Sequence, residues 1–460
     1  MKKLKVLLVQ PPISGITVKG RIIEPLALEI LAATILPKHE VRILDLRIEN
    51  KLKETLEDFL PDIVGFTCYI CQVEIVRKLA KQTKEFNSNI VTLVGGEQPT
   101  HLPEEFNTPC IDYISRGDGD RTFPRLIDAI VNNSTIEDIP GIVKVENGQL
   151  VFGAEKEILC DLSKSPIPVR DLTLKYRSFY KFLGWGPVGS LATSRGCNYR
   201  CNFCSIWKIR KGVVGQFSLD RVIKELKIIK EDSIYFCEAH SFQDIKYADA
   251  LADSIVLNHI NKRYMMYVRS NAVINHKNLF EKWYKIGLKR VFIGFEAITD
   301  ERLKGLNKAN KNDFNERTIE ILHDIGIEIV ASFIIDLDFK KEDFEILKKF
   351  VLEKNLTMPV YNILTPLPGG SLYDDNIDFL KKVPYSHFDF NHALLSTVMP
   401  KKEFYQNIAD LYFETYTNDL PKDLTVKLGY TDEMLKSRKA MGKLLSRNIE
   451  LISEEEITYW

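Results

Sequence analysis

The sequence carries no surplus of charge of either sign: 63 lysines and arginines stand against 63 aspartates and glutamates in 460 residues. A protein that binds nucleic acid by general electrostatics shows a basic excess or stripe, so that class is set aside. No uninterrupted apolar run approaches the ~20 residues of a membrane-spanning helix. The short apolar stretch after Lys5 stops at Pro11-Pro12 and is read as a first β-strand rather than a leader. Low-complexity tracts and repeats of solenoid period are missing. No GxGxxG follows the first strand and no GxxxxGK[ST] occurs, which argues against a dinucleotide fold and a P-loop. Cysteine is sparse, with eight residues. That is not the disulfide framework of a short secreted chain, and a reducing, cytoplasmic setting is expected.

Three of those cysteines stand together. The run Thr193-Ser-Arg-Gly-Cys-Asn-Tyr-Arg-Cys-Asn-Phe-Cys-Ser205 places Cys197, Cys201 and Cys204 in a CxxxCxxC pattern directly after a strand-like segment, residues 188–192. Structural zinc takes four protein ligands in paired spacings, and no second pair follows at ribbon spacing. Three thiolates on one loop suit an iron–sulfur cluster. A [4Fe-4S] cluster held by three cysteines keeps one iron open for a substrate or cofactor.

Residues 3–132 alternate strand and helix. Strands are read at 4–9, 41–46, 62–67, 90–94 and 113–115, with helices at 25–36, 51–60, 72–86 and 121–132. Continuous apolar strands joined by helical crossovers predict a parallel sheet covered on both faces, a doubly wound Rossmann- or flavodoxin-like domain. Gly15, Gly95, Gly96, Gly117 and Gly119 fall at the carboxyl ends of those strands, where such sheets bind ligands. A hairpin is expected at 141–152 around Glu146-Asn147-Gly148. An aromatic cluster follows: Tyr176, Phe179, Tyr180, Phe182 and Trp185. From residue 188 six further strands (188–192, 233–237, 264–268, 290–294, 328–335, 359–364) alternate with helices. Polar residues close five of them: Glu238 and His240; Arg269, Ser270 and Asn271; Glu296; Asp336 and Asp338; Thr365. Residues 376–460 read as mainly helical. The expected division is 1–135, 136–187 as a connector, 188–375 and 376–460.

The cysteine run, with Phe203 before the last cysteine, resembles the signature of the radical S-adenosylmethionine (SAM) enzymes. The resemblance implies a partial (β/α)6 barrel and SAM chelated to the open iron, which the reduced cluster splits to a 5′-deoxyadenosyl radical. It also implies that Phe203, Glu238, Arg269, Ser270 and Glu296 surround SAM. Relatives carry Asp-Asp-Asn-Phe where this chain has Glu238-Ala-His-Ser241, a departure at the segment that binds the SAM amino group. Thr365-Pro-Leu-Pro-Gly-Gly370 resembles the turn that ends this barrel.

Glu24-Pro-Leu-Ala-Leu-Glu-Ile-Leu-Ala-Ala, Pro61-Asp-Ile-Val-Gly-Phe-Thr, Val94-Gly-Gly-Glu and Arg116-Gly-Asp-Gly resemble the cobalamin-binding class of that superfamily. The implied cobalamin contacts are Thr67, Cys71, Gly95, Gly96, Glu97, Gly117 and Gly119. No Asp-x-His-x-x-Gly stands in loop 11–17, so no protein histidine is expected on cobalt. Cys68 and Cys71 form a CxxC read as a packed loop, and Cys110, Cys160 and Cys237 as isolated structural residues. Val268-Arg-Ser-Asn, Lys289-Arg-Val-Phe-Ile-Gly-Phe-Glu and Ala331-Ser-Phe-Ile-Ile-Asp are similar to the hopanoid C-3 methylase subgroup. The implied activity is methylation of an unactivated carbon of a small-molecule or lipid-like substrate through methylcobalamin, with an electron donor such as flavodoxin or ferredoxin. Peripheral membrane contact stays open. Alternatives are a cyclase or oxidoreductase with the same cofactors and, more remotely, a methylthiotransferase. Phe388, Phe390, Phe404 and Tyr405 are candidates for an apolar substrate pocket.

Overall fold

Strand β1 (Lys5–Gln10) is buried from Val6 onward, which requires cover on both faces of its sheet. Successive side chains supply it in turn. Leu7 and Val9 pack with Leu52, Leu56, Val73 and Val76; Val6 and Leu8 pack with Leu28, Ala32, Phe123 and Leu126. The computed structural model describes residues 2–13, 22–154 and 161–459, so Gly15, loop positions 14–17 and Cys160 lie outside the described residues. The chain forms two units. The first is Met1–Gly196 with Ser205–Glu231 and Pro384–Ser386; the second is Cys197–Cys204 with Asp232–Val383 and His387–Trp460.

In the first unit, β2 (Glu40–Asp45), β3 (Ile63–Thr67), β4 (Val91–Gly95) and β5 (Tyr113–Ser115) join β1 in the parallel order β2-β1-β3-β4-β5. This is the flavodoxin order, in which the winding reverses between β1 and β3 and opens a crevice at the strands' carboxyl ends. The expected hairpin forms as β6 (Ile142–Glu146) and β7 (Gln149–Phe152), and β6 pairs antiparallel to β5. It therefore extends the first sheet to seven strands instead of standing apart in the connector. Its turn residues Asn147 and Gly148 both have positive φ, 52° and 75°, as a two-residue type I′ turn demands. The aromatic connector folds as a 3-10 helix, Arg170–Phe179. It buries Tyr176, and Tyr180 after it is buried too, whereas Phe179 stays exposed. Strand β8 (Val188–Leu191) and the antiparallel pair β9 (Ser194–Arg195) and β10 (Gly215–Gln216) complete this unit.

The second unit holds β11 (Ser233–Phe236), β12 (Arg263–Val268), β13 (Leu288–Glu296), β14 (Glu328–Ile335) and β15 (Met358–Ile363), each parallel to the next. Neighbours in space are neighbours in sequence, so every helical crossover steps the same way. That single-direction winding belongs to a barrel and not to an open doubly wound sheet, and this unit supplies five of the six strands expected for a partial (β/α)6 barrel. The helix Lys401–Thr417 packs on Asp432–Tyr459. Arg438 of the latter is buried and donates to the carbonyls of Thr357, Tyr416 and Asn418 at 2.8, 2.7 and 3.1 Å, satisfying orphan acceptors at a helix end.

A buried ionic cluster organises the first unit. Arg170 pairs with Glu24 and, at 2.5 Å, with Glu225, and donates to the Ser190 carbonyl at 2.7 Å. Glu24 also accepts the Ser190 amide at 3.0 Å and pairs with Arg177 at 2.6 Å. Arg221 pairs with Glu225 at 2.8 Å, and Arg177 reaches Glu231 at 3.4 Å. Burial, reinforced by the Glu24 charge, holds the Glu29 carboxyl well above its ordinary range. Glu29 accepts from the Thr173 hydroxyl. Glu24, Glu225 and Glu231 thus stand against Arg170, Arg177 and Arg221. Removing one partner of such a cluster leaves a buried charge uncompensated. Arg170→Met is expected to lower unfolding free energy by about 3–5 kcal/mol in urea titration. Lys38→Met, which breaks the exposed pair with Asp128, is expected to change it by less than ~1 kcal/mol.

Candidate functional site

The cysteine loop is fixed by its backbone. Asn202 N donates to the Leu306 carbonyl at 3.1 Å, its side-chain amide to Gly305 O at 3.0 Å, and Asn307 reaches back to Arg200 O at 2.7 Å. The Asn198 amide donates to Gln243 at 3.2 Å, and Cys204 N to Cys201 O at 3.3 Å. Cys201 is buried, while Cys197 and Cys204 are partly exposed. Among the described residues no three His, Cys, Asp or Glu side chains converge as a single-ion site. A cubane cluster does not ask for that, because each thiolate binds a different iron. Three soft sulfur donors on one loop fit that cluster.

Arg269, just past β12, stands over the Tyr199 ring, its guanidinium carbon 3.6 Å from the centroid. Its Nη1 donates to Cys201 Sγ at 3.7 Å and its Nη2 to the Lys308 carbonyl. Its Nε is buried and, among the described residues, has no hydrogen-bond partner, an orphan donor of the kind a bound carboxylate satisfies. The Tyr199 hydroxyl accepts from Asn271 at 2.7 Å. Glu296 ends β13 with φ 65° at a register shift, and this turn brings its carboxylate to Lys308 Nζ at 2.6 Å. Lys308 also stands 5.8 Å from the Phe203 ring centroid. Ser270 donates to Asn315 Oδ1 at 2.9 Å, and Asn315 donates to the Ala297 carbonyl at 3.2 Å. Glu238 is buried just past β11.

His240 is buried against this group, its ring 6.3 Å from that of Tyr199. Burial, with the Arg269 charge, pushes its pKa down to about 3, so the imidazole is neutral at ordinary pH. Asp336 and Asp338 turn to Arg302, at 3.5 and 2.7 Å, and Thr365 bonds its own strand's Ile363 carbonyl at 3.0 Å. Of the strand-end residues, Arg269 contacts the cysteine loop directly and Glu296 reaches it through Lys308; Ser270 bonds Asn315, and Asp336, Asp338 and Thr365 are local structure. Sequence reasoning missed Lys308, which lies in no strand end, and Tyr199, which stands inside the cysteine motif but was passed over as spacing.

In the first unit a cleft of about 210 Å³ opens beside the carboxyl ends of β3, β4 and β5. Thr67, Gly95, Gly96, Gly117 and Gly119 line it, with Leu8, Leu28, Leu31 and Phe123 forming apolar walls. Gly96 has φ 114°, and a side chain there would start 3.0 Å from the Cys68 carbonyl. Gly117 opens onto unfilled space. A slot with apolar walls and a bare-backbone rim fits the nucleotide tail of a corrinoid. Glu97 does not line the cleft. It follows Gly96 and accepts the Ser205 hydroxyl at 2.5 Å, and desolvation raises its carboxyl above the ordinary range despite that bond. Cys71 is likewise outside the lining, in the 3-10 turn Ile70–Gln72. Its neighbour Cys68 is buried, with a thiol pushed up by desolvation. Of the four aromatics considered for substrate, Phe388, Phe404 and Tyr405 are buried and Phe390 is exposed.

Residues 15–127 match the family model described as B12 binding domain, and 191–351 that of the Radical SAM superfamily. The chain is 30% identical to the hopanoid C-3 methylase of Methylococcus capsulatus over 392 residues, 83% of this chain and 74% of that one. It is also 30% identical to an uncharacterized methyltransferase of Pyrococcus horikoshii, over 81% of this chain and 83% of the other. Its fold superposes on the radical SAM methyltransferase TsrM of Kitasatospora setae, solved with cobalamin and a [4Fe-4S] cluster. The TM-score is 0.71 at 18% identity, covering 98% and 100% of the two chains.

The buried histidine supplies a test. With its folded pKa near 3 against an ordinary 6.5, stability that is whole above pH 6.5 is lost as pH falls from there toward 3, because the unfolded chain takes up the proton first. His240→Gln is expected to remove up to about one proton from the uptake on unfolding across that window, measured by denaturation of the apoprotein at a series of pH values.

Proposed function

The chain belongs to the cobalamin-binding radical SAM family, in its hopanoid C-3 methylase-like group, and on that premise we propose that it methylates an unactivated carbon of a lipid-like small molecule. The observation that carries this reading is that one chain supplies both a three-thiolate loop and a glycine-lined cleft on a flavodoxin-order sheet. When bound, SAM on the [4Fe-4S] cluster supplies a carbon-centred radical and cobalamin carries the methyl group; the protein's part is positioning and exclusion of water.

In this reading Cys197, Cys201 and Cys204 hold three irons. Arg269 offers its unpartnered Nε to the SAM carboxylate, and Glu238 takes the amino group. Ser270 and Glu296 border the ribose, with Lys308 neutralising Glu296, and Phe203 lies beside the same lysine. In the cleft, Thr67 and the backbone of Gly95, Gly96, Gly117 and Gly119 hold the corrinoid tail. Glu97, bonded to Ser205, holds the segment after Gly96 against the residue that follows Cys204. Cys71 supports that loop from outside the lining.

Residues 376–460 are taken as the substrate-side region. Segment 389–398 is bonded to two barrel strands at their carboxyl ends, Phe390 O to Ile363 N at 2.8 Å and Val398 N to Leu337 O at 3.0 Å. Within it, Asp389 fixes His392 through Nδ1 at 2.9 Å, and the exposed Phe390 offers an apolar face. The electron donor is proposed to be a flavodoxin or ferredoxin and the setting cytoplasmic. Among the described residues no helix is long and apolar enough to cross a membrane.

Anaerobic reconstitution with iron, sulfide and hydroxocobalamin tests the two sites separately. Cys201→Ala is expected to lose iron and keep cobalt; Gly96→Leu, whose side chain would press on the Cys68 backbone and Thr67 beside the cleft, should do the reverse. Iron without cobalt in the parent protein would sink the corrinoid assignment. Methyl transfer predicts that turnover releases both S-adenosylhomocysteine and 5′-deoxyadenosine by chromatography. A cyclase or oxidoreductase would release 5′-deoxyadenosine without S-adenosylhomocysteine.

A further inference from the structure

Arg269 is placed to do more than bind a ligand. Three separate contacts immobilise its guanidinium: the Tyr199 face 3.6 Å from its carbon, the Lys308 carbonyl at Nη2, and Cys201 Sγ 3.7 Å from Nη1. Tyr199 is itself held by Asn271, so the platform under the guanidinium is fixed. The other buried cation nearby, Lys308, is neutralised by Glu296 at 2.6 Å. Among the described residues Arg269 has no carboxylate partner. It therefore presents an uncompensated positive charge, in a buried position, to the one cysteine sulfur of the loop that is itself buried.

We infer that Arg269 sets the reduction potential of the cluster. The inference rests on the reading of the loop as a cluster site. A hydrogen bond and a positive charge at a ligating sulfur draw electron density from it and stabilise the reduced, more negative state, and such contacts are among the chief determinants of cluster potential. The low local dielectric strengthens the effect. Tyr199 is a positioning residue, acting through the guanidinium it carries. Lysine does not replace the arginine, because a flexible ammonium lacks the planar fork that meets Sγ and the carbonyl together while lying on a ring.

The test is the midpoint potential of the reconstituted cluster, followed by electron paramagnetic resonance in a redox titration without SAM. Omitting SAM separates this role from any contact to the SAM carboxylate. Arg269→Met is expected to bind iron as the parent does and to lower the ratio of reduced to oxidised cluster at fixed poise about tenfold, a fall of about 59 mV for one electron. Tyr199→Leu should shift the potential the same way by less, and Tyr199→Phe, which keeps the ring, should leave it near the parent value. An unchanged potential in Arg269→Met with full iron content overturns the inference and leaves the cluster assignment standing. If Arg269→Met holds no iron, the two Tyr199 variants decide: equal potentials in both overturn it. A parent protein that takes up no iron removes the cluster reading itself, and this inference with it.

Discussion

The first unit depends on one buried guanidinium. Arg170 touches a residue just before the first crossover helix, a carbonyl of β8 and the helix Leu219–Ile228, positions 146, 20 and 55 residues away in sequence. Charges out of water are tolerable only when all partners arrive together. The family model that covers 15–127 contains Glu24 but neither of the arginines that pair with it. What sequence families delimit as a cobalamin domain is thus not the piece that satisfies its own buried groups. The compact unit takes in residues as far as 231, and the connector between the two family models supplies two of its buried arginines, Arg170 and Arg177.

Much of the architecture was legible beforehand because it is periodic. Uninterrupted apolar runs such as Val6–Val9 and Ile63–Phe66 can only be doubly covered strands, and alternation with amphipathic helices fixed both parallel sheets. The cysteine loop was legible because spacing and ligand chemistry coincide. The connector was not. Arg170 and Arg177 sit among polar residues in a segment that reads as solvated, and nothing local announces that three distant carboxylates are waiting for them. The same holds for Lys308. Its neighbours look like a surface turn, and only the left-handed backbone at Glu296 brings the two together. Glu97 and Cys71 were placed in the cleft by motif, but the lining is made from the glycines beside them.

The two candidate sites are built from different material. The cleft in the first unit is made of backbone: its rim is glycine, and its shape comes from what is missing. The cysteine loop's surroundings are made of long side chains stacked and bonded to one another, Arg269 on Tyr199, Lys308 on Glu296, Ser270 on Asn315. A backbone-built slot is insensitive to chemistry but intolerant of volume. A side-chain lattice tolerates volume poorly too, yet its electrical character changes with each substitution.

The β13 terminus illustrates the second kind. Gly294, Glu296 and Lys308 interlock: any side chain at 294 would collide with the folded-back Glu296 carboxylate and begin only 3.0 Å from the lysine nitrogen. Substitutions within such a contacting trio do not add independently. A lineage drifting at these positions must therefore alter the glutamate before it can enlarge the glycine, and losing the glutamate strands a buried ammonium. The three sites form a ratchet in sequence space. Divergent relatives should keep the whole trio or abandon it as a block, with few intermediates surviving between.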